Sequence, residues 1–182
     1  DIKMFRKTYL LTLLITLLLA GCAPASTPTE MPAPVSTELP ASAAITLTDG
    51  LGRSVALNEA AQRVISLAPS NTEILFAIGA GDQVVGRDTL SDYPEAAKNV
   101  KDIGSMFEAM NTELIVSLKP DLVIAAEVNT PEQVNALEDL GLTVYYLKNP
   151  ATLEEMYTNL EIVAQLTGHE ADAAALIESL KA

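Results

Sequence analysis

Short apolar runs alternate along the chain with stretches whose apolar residues recur at helical spacing. The runs are rich in β-branched residues, which is typical of strands that are buried on both faces of a sheet. They comprise Val64 to Leu67, Val84 to Val85, Leu122 to Ala126 and Thr143 to Leu147. Because strands that alternate with helices form mainly parallel sheets covered on both faces, the pattern predicts an α/β fold with a doubly wound sheet.

Residues at the ends of the helical stretches support this alternation. Pairs with the spacing of a capping box precede some helices, and a glycine or proline that ends a helix follows others. The expected caps are Ser70 with Glu73, Thr130 with Gln133, and Thr152 with Glu155, and the expected stops are Gly79, Pro120 and Gly141.

A small β-hairpin is predicted ahead of these elements. Thr46 to Thr48 and Ser54 to Leu57 alternate apolar and polar residues, and residues 49–52 between them contain Gly50 and Gly52. Alternation on both sides of a glycine-containing turn is the pattern of two antiparallel strands.

Residues 151–182 carry two apolar stripes at helical spacing. The first stripe is Leu153, Met156, Tyr157, Leu160 and Val163, and the second is Ala173, Leu176, Ile177 and Leu180. The second stripe is still in register at the last residue, with no Gly, Asn or Pro to end it. Two interpretations are open: a fragment of a longer polypeptide in which this helix continues, or a free C-terminal helix that frays.

Residues 4–22 have the organisation of a lipoprotein signal peptide. Arg6 and Lys7 precede an uninterrupted apolar run, Leu10 to Ala20, which is shorter than the roughly 20 residues of a membrane-spanning helix. The run leads into Gly-Cys, which resembles the bacterial lipobox, so Cys22 is the candidate lipidation site. The alternative is an ordinary signal peptide with an incidental cysteine.

Residues 23–44 differ in composition from everything that follows. They hold five of the ten prolines, no lysine or arginine, and few large apolar side chains. Such a segment cannot bury enough surface to offset the entropy of ordering it, so we expect a disordered, extended tether.

Composition and charge exclude several functional classes. The chain has 11 Lys and Arg against 24 Asp and Glu, a net charge of −13, which disfavours nucleic acid as a partner. A single Cys rules out an intramolecular disulfide, and a single His rules out a metal site built from several histidines. No phosphate-binding glycine loop or nucleophile elbow is present, so we expect neither an enzyme nor a bound cofactor.

Candidate binding residues follow the predicted strands, because ligands of open parallel sheets bind beyond the carboxyl ends of the strands. These segments are Pro69 with Ser70, Arg87 to Tyr93, Gly104 to Phe107, Glu127 to Thr130, and Asn149 with Pro150. Their aromatic members are Tyr93 and Phe107, and flat aromatic faces beside a cleft suit a planar or macrocyclic ligand. The alternative is that both rings fold back onto their own lobe.

Three motifs together resemble a known family. They are RVISLAPSNTEIL at 63–75, SDYP at 91–94 and LKPDLVI at 118–124. Their order is similar to that in the cobalamin and iron-siderophore class of substrate-binding proteins of bacterial ABC importers. The resemblance implies two α/β lobes joined by a long helix, with the ligand between them. Residues 45–150 then form the first lobe, and 151–182 the helices that lead into a truncated linker helix.

The resemblance also implies roles for individual residues. Tyr93 and Phe107 fall where cobalamin-binding relatives place aromatics against the corrin, whereas a further aromatic of such relatives is replaced here by Ala126. Haem-binding members carry a ligating tyrosine soon after the glycine that matches Gly104, and residues 105–107 contain none, which disfavours haem. Glu113 matches the acidic residue that pairs with arginines of the permease.

We therefore expect a lipid-anchored, extracytoplasmic receptor that captures a corrinoid or ferric siderophore and presents it to an ABC permease. Pro69, Ser70, Tyr93 and Phe107 would bind the ligand, and Glu113 would dock the permease. Two other classes remain open: a doubly wound enzyme domain whose catalytic half is missing, and a lipid-anchored adhesion or scaffolding module.

Overall fold

The computed structural model describes residues 44–105, 107–108 and 110–182. The predicted signal peptide, the lipidation site Cys22 and all but the last residue of the predicted tether lie outside the described residues. Within the part of the chain that the structure describes, no helix combines the length and the apolar character that a membrane crossing needs.

Four parallel strands form the central sheet, and two antiparallel strands form the separate hairpin that the sequence predicts. The hairpin strands are β1 (Ile45–Thr48) and β2 (Ser54–Leu57), and the sheet strands are β3 (Val64–Ser66), β4 (Val84–Arg87), β5 (Leu122–Ala126) and β6 (Val144–Leu147). The spatial order in the sheet is β4-β3-β5-β6. The predicted α/β fold with a mainly parallel sheet is confirmed.

Within the described residues, five α-helices connect and flank these strands. They are α1 (Pro69–Ala77), α2 (Thr112–Ser117), α3 (Pro131–Glu138), α4 (Leu153–Thr167) and α5 (Glu170–Lys181), with short 3₁₀ turns at Ala80–Gln83 and Glu95–Asn99.

The sheet is covered on both faces because successive strand residues point to opposite sides. Val64, Leu122 and Ile124 belong to one apolar core, whereas Ile65 and Val123 belong to the other. Helices α1, α4 and α5 and the hairpin contribute to the first core through Leu75, Leu160, Val163, Ala173, Ile177, Val55 and Leu57, and Ile78, directly after α1, joins them. Helices α2 and α3 contribute to the second through Ile115, Val134 and Leu137.

The helix caps agree with the sequence in part. Thr130 and Gln133 form the complete capping box at the start of α3. Thr152 accepts a hydrogen bond from the Glu155 N–H, but the Glu155 carboxylate accepts its return bond from Ala151 instead of Thr152.

The predicted cap at Ser70 is wrong. Helix α1 begins two residues earlier than a cap at Ser70 implies, with Pro69 in its first turn and Ala68 as an N-cap that provides no side-chain hydrogen bond. Proline takes this position readily because its ring fixes a helical φ and it has no N–H to satisfy there. Ser70 is therefore the second residue of the helix, where its hydroxyl is available to a neighbouring cleft.

Candidate functional site

The strand connections leave a crevice at the carboxyl edge of the sheet. The chain leaves β3 through α1 on one face to reach β4, and it leaves β4 through α2 on the opposite face to reach β5. Because the two connections run over opposite faces of the sheet, the loops that follow the strands separate beside β3 and leave a crevice. Ligands usually bind at this position in such sheets.

A cavity of about 260 Å³ occupies this edge. Its walls come from the ends of all four parallel strands and from the segment after residue 104. The lining residues are Leu67, Ala68, Pro69, Ser70, Asp88, Leu90, Phe107, Ala126, Val128 and Asn149. Most of these side chains are apolar, so the cavity suits a ligand with a large hydrophobic surface.

Three of the residues singled out in the sequence lie together here. Pro69, Ser70 and Phe107 line the cavity, and the Phe107 side chain is 73% exposed. Tyr93 is 67% exposed on the loop after β4 but is not among the lining residues. Glu113 is exposed in the first turn of α2, away from the cavity lining.

Buried polar side chains position the start of α1 against the end of β3. Thr72 Oγ1 donates to Ser66 Oγ at 2.7 Å, and Ser66 Oγ donates to the Ala68 carbonyl at 3.1 Å. Asn71 Nδ2 donates to the Ile124 carbonyl on β5 at 3.1 Å. Because buried polar groups strongly favour being paired, these bonds hold the Pro69–Ser70 turn in one place at the cavity wall.

A residue that sequence reasoning did not single out, Asp88, also lines the cavity. It is 3% exposed, and its carboxylate accepts hydrogen bonds from Ser91 Oγ and from the Leu90 N–H. Its position directly after β4 is the signal in the sequence that points to it, since ligands of such sheets bind beyond the strand ends.

Arg87, at the end of β4, holds the neighbouring loop together. Its side chain is buried, with the whole residue 8% exposed. Nη1 donates to the carbonyls of Asp88 and Thr89, at 2.9 and 3.2 Å, and to the Asp102 carboxylate at 3.1 Å. Nε donates to the Ala97 carbonyl at 3.4 Å. One guanidinium thus joins both sides of the loop that carries Tyr93.

Asp102 connects this loop to the segment that carries Phe107. The Gly104 N–H is the main cause that holds the pKa of Asp102 below its usual value, and Thr89 and Arg87 add to it. Thr89 Oγ1 donates to Asp102 Oδ1 at 2.9 Å, and the Thr89 N–H donates to the Gly104 carbonyl at 3.1 Å.

Replacing Arg87 with Lys is expected to lower the free energy of unfolding by about 1–3 kcal/mol, because an ammonium cannot reproduce the planar set of donors. Chemical denaturation of the protein measures this change. The control is Arg63→Lys, at an exposed guanidinium that also bonds carbonyl oxygens, those of Leu118 and Lys119. Equal effects at the two positions would contradict a special role for Arg87.

The described residues provide no cluster of three or more His, Cys, Asp or Glu side chains that could hold a metal ion. The cavity itself has mainly apolar walls and a few polar groups, an arrangement that can bind a ligand non-covalently.

Comparison with known proteins identifies the family. The model of the family described as "Periplasmic binding protein" matches residues 64–182. The chain belongs to the periplasmic binding protein family. The family membership predicted from the three sequence motifs is confirmed.

Individual proteins of known sequence or structure are similar to this chain. The uncharacterized ABC transporter substrate-binding lipoprotein YvrC of Bacillus subtilis is 34% identical over 172 residues, which are 93% of this chain and 53% of YvrC. The vitamin B12-binding protein BtuF of Vibrio cholerae has 34% identity and a TM-score of 0.60 over 66% of this chain and 47% of its own.

A periplasmic heme-binding protein of Pseudomonas aeruginosa has 29% identity and a TM-score of 0.60, over 66% of this chain and 44% of its own. The chain thus spans about half the length of the relatives it matches. These relatives are named for binding a substrate, not for catalysis, which agrees with the expectation of a binding protein and not an enzyme.

Proposed function

We propose that this binding protein is the receptor of an ABC importer that captures a corrinoid or a ferric siderophore and delivers it to a membrane permease. The observation that carries the proposal is the cavity at the carboxyl edge of the sheet, which has apolar walls and an exposed Phe107 beside it. An exposed ring next to an apolar cavity offers a face for stacking on a flat ligand.

The size of the cavity supports a ligand that is held between two lobes. At about 260 Å³ it is smaller than the roughly 300–1,000 Å³ of pockets that enclose a drug-sized ligand. A corrin or a ferric chelate is at least that large, so this surface would cover one side of the ligand. A second lobe would cover the other side.

The remaining parts of the chain take the roles that the sequence predicts. Residues 45–150 form the first lobe, and 151–182 lead into the helix between the lobes. Residues 4–22 direct export, Cys22 carries the lipid, and 23–44 tether the lobe outside the membrane. BtuF is described as a vitamin B12-binding protein and YvrC as a lipoprotein, which supports both the ligand class and the anchor.

A ligand screen on the full-length protein tests the proposal. A ligand that binds only the folded state adds about 2.7 kcal/mol to the free energy of unfolding when its concentration is 100 times its Kd. The melting temperature rises as a result. We expect an upward shift with a corrinoid or a ferric siderophore and none with haem. Absence of a shift with every corrinoid and siderophore tested would overturn the proposal.

Glu113 is the proposed docking residue of this lobe. It lies in the first turn of α2, exposed to solvent, where the helix dipole favours a carboxylate. Charged residues at the edge of an interface act mainly on the rate and specificity of association. A carboxylate here can therefore pair with cationic groups of a permease without contacting the ligand.

Glu113→Arg is expected to leave ligand affinity within about twofold and to reduce uptake into cells about tenfold, because the reversed charge repels the permease. Isothermal titration and a whole-cell uptake assay measure the two effects. Glu132→Arg is the matched control, since Glu132 is the second residue of α3 as Glu113 is of α2. Normal uptake with Glu113→Arg, or the same loss in both variants, contradicts the docking role.

A further inference from the structure

Among the described residues that line the cavity, Asp88 is the one that carries a charge. The other polar lining residues are Ser70 and Asn149. A charge in an otherwise apolar wall has a strong influence on which ligands bind, because the low-dielectric surroundings screen it poorly.

No cation neutralises this carboxylate within the described part of the chain. Arg87, the adjacent residue, directs its guanidinium to Asp102 and to backbone carbonyls. Asp88 itself accepts from two neutral donors, Ser91 Oγ and the Leu90 N–H. Since a carboxylate has about four acceptor positions, it retains capacity for a donor from a ligand.

The start of α1 supplies the complementary group. Pro69 and Ser70 line the same cavity, and Ala68 contributes no side chain to cap the helix. Pro69 carries no N–H, so the donors that this end of the helix brings to the cavity are the backbone N–H and the hydroxyl of Ser70. The cavity therefore presents donors on one side and an anionic acceptor on another.

We propose that Asp88 determines ligand specificity by selecting ligands with neutral hydrogen-bond donors and rejecting ligands with carboxylates. A primary amide fits this pair of groups, because its NH₂ donates to Asp88 while its carbonyl accepts from the start of α1. Amide side chains of a corrin periphery have this chemistry, whereas the propionates of haem and the carboxylates of many iron chelates would face Asp88 with like charge. This inference rests on the proposed function and narrows its ligand class.

The test compares one macrocycle in two forms, cobyrinamide and cobyrinic acid, which differ in having amide or carboxylate side chains. Titration calorimetry with the full-length protein gives both affinities. The titrations are carried out at about 1 M salt, where the Debye length is about 3 Å. The overall negative charge of the protein then contributes little to the difference in affinity between the two macrocycles. We expect wild-type protein to prefer the amide form about tenfold or more.

Asp88→Asn keeps the shape of the side chain and removes its charge, and the preference is expected to fall below about threefold. Asp92→Asn is the matched control, since it removes the same charge from an exposed residue of the same loop outside the cavity lining. It should keep the wild-type preference. If Asp88→Asn does not fold, Asp88→Ser, which retains an oxygen acceptor, replaces it.

Equal affinity of wild-type protein for the two macrocycles overturns the inference while the proposed function stands. An unchanged preference in the folded Asp88 variant, or the same reduction in Asp92→Asn, overturns it too. Binding of neither macrocycle contradicts corrinoid capture itself, and the inference falls with it.

Discussion

Binding of a corrinoid or a ferric chelate by the full-length protein is expected to weaken about 10- to 100-fold when Tyr93 and Phe107 are both replaced by Ala. The double variant loses two exposed aromatic rings, of which Phe107 lines the cavity, and aromatic contacts contribute about 0.5–1.5 kcal/mol each beyond the area they bury. Isothermal titration with the ligand found in the thermal screen measures the loss.

The two rings are not expected to contribute equally. Phe107 lines the cavity and Tyr93 does not, so Phe107→Ala alone should account for most of the loss. Leu140→Ala is the control, because Leu140 is also an exposed large apolar residue but lies outside the cavity lining. Unchanged affinity in the double variant, with a normal melting temperature, would remove both aromatics from the site.

The strands show why most of the fold was predictable. The apolar run Leu122 to Ala126 coincides with β5, whose five residues are all buried. At β4 the run Val84 to Val85 was too short, because the strand continues through Gly86 and Arg87. Gly86 has no side chain and Arg87 is charged, so neither has the hydrophobic side chain by which a buried strand is predicted. The burial of the Arg87 guanidinium is compensated by the carbonyl of the adjacent Asp88 and by two partners further along the chain, the Ala97 carbonyl and the Asp102 carboxylate.

The site was predictable as a set of segments but not as a set of residues. The rule that ligands bind beyond strand ends places Pro69, Ser70 and Phe107 correctly at the cavity edge. It does not reveal that Tyr93 lies outside the lining or that Asp88 is within it. Those facts depend on how a loop folds back on itself, and the pairing that determines this, between Arg87 and Asp102, has no local sequence pattern.

Asp49, in the turn of the hairpin, makes more hydrogen bonds than any predicted site residue in the described part of the chain. It is 6% exposed, and its carboxylate accepts from the N–H groups of Leu51, Arg53 and Tyr146 at 3.0, 2.9 and 3.3 Å. The Arg53 guanidinium pairs with the same carboxylate and also with Glu138 of α3. Asp49 therefore links the hairpin to β6 and, through Arg53, to α3.

Asp49→Ala is expected to lower the free energy of unfolding by about 3–5 kcal/mol, because it leaves a partly buried guanidinium and several N–H groups without their acceptor. Urea denaturation at neutral pH measures the change. The control is Asp82→Asn in the exposed part of the Ala80–Gln83 turn, where the change should stay within about 0.5 kcal/mol. A similar small change for Asp49→Ala would show that the Asp49 carboxylate contributes little to the attachment of the hairpin.

The same carboxylate predicts how stability depends on pH. Burial raises the pKa of Asp49, but the Arg53 side chain and the N–H groups of Arg53 and Tyr146 lower it by more, so the pKa lies below its usual 3.8. A lowered pKa in the folded state means that the unfolded chain takes up the proton first as the pH falls. The stabilisation is therefore complete above the unfolded value and is lost as the pH falls through and below it. Urea denaturation between pH 6 and about 2.5 should show a smaller acid loss for Asp49→Asn than for wild type, and parallel profiles would contradict this assignment.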